Sequence, residues 1–155
     1  MLRRDFIFGA VVCVAGVAGF WWVTVPAAIP ASALPAHTAD LANGRTTFNA
    51  GGCSSCHAVP NQPDRTRLGG GLAISSPFGT FYVPNISPDP VDGIGRWSEQ
   101  DCWLALHDGY ARDGTPLYPA FPYTIYTRVT RADADAMFAY LRTVCGVSQP
   151  DRPDA

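Results

Sequence analysis

Gly51-Gly52-Cys53-Ser54-Ser55-Cys56-His57 is the stretch on which the reading of this chain turns. Two thiols stand three residues apart, so one turn of chain brings both to the same side. An imidazole follows at once. Cys-x-x-Cys-His is the attachment signature of c-type haem. The spacing has a chemical reason: thiols one turn apart reach the two vinyl groups on one porphyrin edge, and the next residue projects its imidazole under the iron. Cys53 and Cys56 are therefore the candidate covalent attachment points. His57 is the candidate axial iron ligand.

Two other uses of such a pair fit less well. A thioredoxin-like redox pair wants a βαβ setting, and the flanking sequence shows none. A structural zinc site needs two more ligands. Cys102 and Cys145 are available, but each stands alone and far from the other, unlike paired zinc spacings. The motif occurs once, so a single haem c is expected.

Working outward toward the N-terminus, Phe6 to Val25 is a run of 20 residues without a charge. A helix of that length spans about 30 Å, the hydrocarbon core of a bilayer. Arg3 and Arg4 precede it and place the N-terminus on the cytoplasmic side, and Trp21 and Trp22 fall at the outer interface. The apolar run is longer than a signal peptide's. Residues 1–25 thus read as a transmembrane anchor at the bacterial inner membrane, single-pass, with the haem portion delivered to the periplasm. Covalent haem attachment takes place outside the cytoplasm, so motif and anchor agree on compartment. Residues 26–39 are rich in Pro and Ala and read as a semi-extended tether.

The chain has 155 residues, 47% of them apolar and only 15% charged. That allows one packed domain beyond the anchor. All 11 basic residues are arginine. No basic run occurs, so nucleic acid is not an expected partner. A lysine ring for docking on acidic partners is excluded too, which leaves apolar surface around the haem edge.

The domain, residues 40–146, reads as mostly α. Asp40 caps a helix over 41–50 in which Gly44 and Phe48 share a face, ended by Gly51-Gly52. Residues 60–96 are rich in Gly and Pro and read as loop, with short extended pieces around 79–83. Ser98 with Asp101 makes a capping box that opens a helix over 99–108, stopped by Gly109. Thr130 with Asp133 makes another, for a helix over 131–144. The tail, residues 147–155, holds two prolines and several charges and is expected to be disordered. Three or more helices joined by long loops bury little by themselves. A haem at the centre would complete such a core.

This order resembles the class I cytochromes c: a first helix with Gly44 and Phe48, then the haem motif, then a last helix with Met137, Tyr140 and Leu141. In that family the first and last helices cross through such a face. More closely, it is similar to the membrane-anchored cytochrome c subunits of bacterial periplasmic dehydrogenases acting on alcohol, aldehyde or gluconate. The segments that carry the likeness include Pro77-Phe78-Gly79-Thr80, Pro84-Asn85-Ile86-Ser87-Pro88-Asp89, Gly93-Ile94-Gly95, Trp97-Ser98 and Leu117-Tyr118-Pro119-Ala120-Phe121-Pro122-Tyr123. The resemblance implies an electron-transfer subunit, not an enzyme. Its donor would be a periplasmic dehydrogenase, and its acceptor the quinone pool, an oxidase or a soluble cytochrome of the respiratory chain. The chain departs from the family at the iron's sixth position, where relatives carry Met at the place of Phe121 or of Val129.

Met137 is the sole thioether besides Met1 and a candidate sixth ligand. Its place in the last helix is equally that of a core residue. His107 and His37 are further candidates. Tyr118, Tyr123 and Tyr126 lie in the loop that faces the iron in the family, and an open or water-filled position is the remaining option. Open iron would suit a ligand-binding haem protein, such as a gas sensor or small peroxidase, and that is the alternative function. In an oxidising compartment Cys102 and Cys145 are expected to form a disulfide, the other possibility being two separate buried thiols.

Overall fold

The computed structural model describes residues 2–24, with side chains from Phe6 onward, and residues 38–117 and 121–155. The expected tether lies outside these residues except for its last two positions, and so do His37 and Tyr118. Helix α1 spans Leu2–Thr24. Its stretch Phe6–Thr24 has mean hydropathy 2.2 and no buried part, which makes it long and apolar enough to cross a membrane.

The haem motif's neighbours are positioned by two crossing helices. Helix α2 covers Leu41–Ala50. Asp40 caps it, its carboxylate accepting from the amides of Ala42 and Asn43 at 2.9 and 3.0 Å. Gly44 and Phe48 form its buried stripe, one turn apart. That stripe lies on the last helix so closely that a Cβ on Gly44 would fall 2.0 Å from the Ala136 carbonyl oxygen. Only glycine allows two backbones to approach like this. Phe48, Leu68, Cys102, Leu106, Ala134, Met137, Phe138 and Leu141 make the core around the crossing. Phe138, 1% exposed, is the largest of its fully buried side chains, and burial of such a ring stabilises by about 1.5–3 kcal/mol.

After α2 come the short helix α3, Cys53–His57, and an antiparallel hairpin. Its strands are β1, Ala73–Ser76, and β2, Gly79–Tyr82, in the register Ala73↔Tyr82 to Ser76↔Gly79. The hairpin turns through Pro77-Phe78. Helix α4, Glu99–Asp108, has the expected Ser98–Asp101 capping box and stops at Gly109 in the left-handed region. A four-residue helix α5, Tyr123–Tyr126, precedes the last helix α6, Arg131–Leu141.

Three expectations need correction. Helix α6 ends at Leu141, three residues short of 144. The Arg142 guanidinium donates to the Trp97 carbonyl at 2.7 Å, and the chain turns there so that Val147 can enter the core. The Thr130 cap is present, but the Asp133 carboxylate accepts from the Thr130 hydroxyl and from Asn43 Nδ2 of α2, tying the two crossing helices together. The tail, expected to be disordered, is laid along the 69–85 region. Gln149 Nε2 donates to Gly69 O, the Asp151 carboxylate accepts from Asn85 N, and the Asp154 carboxylate accepts from Tyr82 N. Thr80 and Ala155 exchange backbone bonds at 2.6 and 3.0 Å, and Arg152 lies over the Tyr82 ring. Backbone pairing on a free strand edge compensates for the low apolar content on which the expectation rested.

The expected disulfide is absent as well. Cys102 is buried in the core beside Leu106, whereas Cys145 is exposed; both are free thiols. One faces into the core and the other faces water, so their sulfurs do not meet.

Candidate haem site

Gly52 opens the site. It sits in the left-handed region, φ +67°, immediately before α3. This sharp entry winds Cys53, Cys56 and His57 onto a little more than one turn. The turn is braced locally: Ser55 donates through both its amide and its hydroxyl to the Gly52 carbonyl, and Arg65 Nη2 donates to the Ser54 carbonyl at 2.6 Å. Cys53 leans on the hydrophobic core and Cys56 is exposed. Burial pushes the Cys53 thiol up to about 11, so it is neutral at physiological pH.

His57 is held from two sides. Its carbonyl accepts from the Gly70 amide at 2.8 Å. Its ring Nδ1 meets the Pro84 carbonyl at 2.9 Å. A carbonyl can only accept, so Nδ1 carries the proton and Nε2 is left as a bare lone pair. This is the tautomer and the orienting bond that a metal-ligating imidazole needs. Burial also lowers the pKa of His57, partly opposed by the bond to Pro84. The ring is thus neutral and able to ligate.

Pro84 reaches His57 because Gly70 steps aside. Gly70 is at φ +69°, and a Cβ there would fall 2.3 Å from Val83 O and 2.6 Å from Pro84 O. Asn85, 3% exposed, pins the next residue: its Nδ2 donates to the carbonyls of Val147 and Gln149, and its Oδ1 accepts from Ser87 N.

The loop after α4 closes over the motif. Tyr126 Oη donates to the Gly51 carbonyl at 2.8 Å, and its ring stacks on Phe121 at 5.4 Å. Burial raises the Tyr126 pKa, so the phenol stays protonated and committed to Gly51. His107 is stacked on Trp103 at 4.7 Å, with Nδ1 on the Asp108 carboxylate. Met137 is 4% exposed, in the core of the α2–α6 crossing. Among the described residues no three His, Cys, Asp or Glu side chains come together as a metal site.

Two thiols on one turn, followed by an imidazole whose Nδ1 is spent on a backbone carbonyl, fit a covalently held haem. The cytochrome c family profile matches residues 41–144, which include the two crossing helices and everything between them. The chain belongs to the cytochrome c family.

The cofactor of that family is haem c, and its members carry electrons. This cytochrome is 40% identical over 155 residues to a diheme cytochrome c-type protein of Cereibacter sphaeroides, covering 98% of the cytochrome and 52% of that protein. It is 40% identical over 121 residues to the cytochrome c subunit of a quinone alcohol dehydrogenase from Gluconacetobacter polyoxogenes, covering 77% of the cytochrome and 25% of that protein. Identity is again 40%, over 114 residues, to the cytochrome subunit of a fructose dehydrogenase from Gluconobacter japonicus, with coverages of 74% and 22%. The cytochrome therefore spans about half of the first relative and a quarter or less of the other two.

Cys53, Cys56 and His57 were legible from spacing alone, and the structure places them on one turn. Four neighbours of that turn lie outside any local spacing rule: Pro84 as the partner of His57, Gly70 as the gap that admits it, Asn85 behind it, and Tyr126 on Gly51. A signal existed for Asn85. It is a polar residue flanked by Val83-Pro84 on one side and Ile86 on the other.

Proposed function

We propose that the chain carries one haem c, bound covalently by Cys53 and Cys56 with His57 on the iron. It passes electrons from a periplasmic dehydrogenase to the respiratory chain. Helix α1 holds it in the bacterial inner membrane, with the haem domain on the periplasmic side. The observation that carries this reading is the His57–Pro84 bond on the turn that also bears both thiols. When bound, the haem supplies an iron that accepts and releases one electron. The residues around it do the rest. Cys53 and Cys56 fix the porphyrin edge. Pro84 fixes the His57 tautomer. The α2–α6 core packs behind Cys53, and Tyr126 ties the 121–129 segment to Gly51.

Dehydrogenase partnership is supported by the names of relatives: cytochrome subunits of alcohol, fructose and gluconate dehydrogenases. The motif occurs once here and the chain covers 52% of its diheme relative, which supports one haem on this span. The decisive experiment expresses the chain with a haem-attachment system and records its spectrum with a quinone-type dehydrogenase and substrate. Reversible reduction is expected. Covalent haem that no such dehydrogenase reduces would overturn the electron-transfer assignment. Loss of attachment in Cys53→Ala and Cys56→Ala checks the thiols.

A second reading, a ligand-binding haem protein, draws support from the residues weighed for the sixth position. Met137 fills the helix crossing, Tyr126 is committed to Gly51, and His107 to Asp108 and Trp103. Rapid CO binding to the reduced protein is its expected signature. Met137→Leu then leaves spectrum and potential unchanged; a changed spectrum makes Met137 the ligand.

A further inference from the structure

Residues 147–151 close the far side of the cradle that presents Pro84 to His57. The cradle has two walls. One is Gly69-Gly70, whose Gly70 amide holds the His57 carbonyl. The other is Val83-Pro84-Asn85, which carries the accepting carbonyl. The walls are paired through Gly71 N to Val83 O at 2.8 Å and Ile86 N to Leu68 O at 3.0 Å.

Each wall is also bonded from outside by the same short stretch. Gln149 Nε2 donates to Gly69 O at 2.9 Å and to Gly70 O at 3.3 Å. The Asp151 carboxylate accepts from Asn85 N at 2.7 Å. Asn85 Nδ2 returns to Val147 O at 2.7 Å and Gln149 O at 3.1 Å. Val147 N donates to the buried Ser87 hydroxyl at 2.9 Å, and the Val147 side chain leaves so little room at Gly69 that a Cβ there would meet it at 2.7 Å. Such concentration of bonds on two loop segments exceeds what is needed to stop a tail from fraying. The backbone groups at stake are those that set where Pro84 O stands.

We propose that Gln149 and Asp151 are positioning residues for the iron site: acting through Gly69-Gly70 and Asn85, they hold the Pro84 carbonyl on His57 and thereby set the potential of the haem iron. This rests on His57 being the axial ligand. The sign follows from the bond itself. An imidazole that donates Nδ1–H to a carbonyl gains electron density at Nε2, and a more basic ligand favours ferric over ferrous iron. Slackening the cradle weakens that donation and raises the potential.

The test uses the haem-loaded full chain in four forms: wild type, Gln149→Met, Asp151→Ala and Asp151→Asn. Gln149→Met keeps side-chain length and loses the donor; Asp151→Asn keeps an oxygen to accept from Asn85 N. Gln149→Met and Asp151→Ala are expected to raise the midpoint potential, an about threefold shift of the one-electron equilibrium toward the reduced form. The His57 Nδ1 proton is expected to exchange faster by NMR in both. Asp151→Asn is expected to match wild type. The two lesions act on opposite walls, so if one variant does not fold, the other decides. Variants that melt earlier but keep the wild-type potential and proton exchange overturn the proposal, because the stretch is then only a structural brace; a lowered potential overturns it as well. Wild type that takes up no covalent haem strikes instead at the site reading beneath it.

Discussion

Gly70→Ala is the sharpest perturbation of the site. The backbone at this position is left-handed, φ +69°, and an L-residue there costs about 1–2 kcal/mol. The added Cβ would stand 2.3 Å from Val83 O and 2.6 Å from Pro84 C and O. Gly70 cannot simply retreat, because its amide is bonded to the His57 carbonyl at 2.8 Å. The 83–84 segment must give way instead, by about 0.7 Å to restore a tolerable carbon–oxygen contact. That movement carries Pro84 O from 2.9 Å to about 3.6 Å from His57 Nδ1, beyond hydrogen-bonding range. Loss of the bond adds about 1 kcal/mol, so the total destabilisation is about 2–3 kcal/mol. If the bond favours ferric iron by up to about 1.4 kcal/mol, the midpoint potential rises by up to about 59 mV. Denaturant unfolding followed by circular dichroism measures the first quantity and spectroelectrochemistry the second. Gly70→Ala with wild-type stability and potential would refute the close approach of Gly70 to Pro84, and with it the tautomer argument for His57.

Three other outcomes follow from the geometry. Gly44→Ala is expected to destabilise by about 2 kcal/mol despite better helix propensity, because α2 and α6 must part by about 1 Å to clear the Ala136 carbonyl; a variant melting at or above wild type would contradict the crossing. In the native protein Cys145 should alkylate readily and Cys102 only after unfolding, since Cys102 is buried and its thiol pushed up to about 12; protection of both against alkylation without reductant would instead reveal a disulfide. Asp133 is held below the ordinary carboxylate range by the Thr130 hydroxyl and then by Asn43. A depressed folded-state pKa means its contribution is present above the unfolded value of about 3.9 and lost as pH falls through the folded one. The stability gap between wild type and Asp133→Asn should therefore be constant near pH 7 and shrink below about pH 4. A gap that does not change with pH would separate Asp133 from the acid response.

Local chemistry made much of this protein readable before its fold was known. Asp40 and Ser98 place their helix starts because a side-chain oxygen two or three residues from free amides acts within its own turn. Cys53, Cys56 and His57 stand out as a candidate haem turn for the same reason, since all three lie inside one turn of chain. Gly44 and Phe48 announce a buried stripe through helical spacing alone. The 20-residue uncharged run is visible as a span because bilayer thickness is a length and not a contact.

Tertiary structure decided what depends on who stands across from whom. No local rule pairs His57 with Pro84, 27 residues away, or explains why Gly70 must lie between. Composition assigned residues 147–155 to disorder, because a polar, Pro-containing segment buries little by itself; the free edge of β2 and the backbone groups around Asn85 provided partners that composition does not count. Compartment argued for pairing Cys102 with Cys145, yet the faces of the helix and turn that bear them point one thiol into the core and the other into water. Met137 shows the division within one residue. Its chemistry allows a thioether ligand, and the α2–α6 crossing uses it as core. Residue type sets what a side chain is able to do, and the position of its neighbours in space selects which of those things it does.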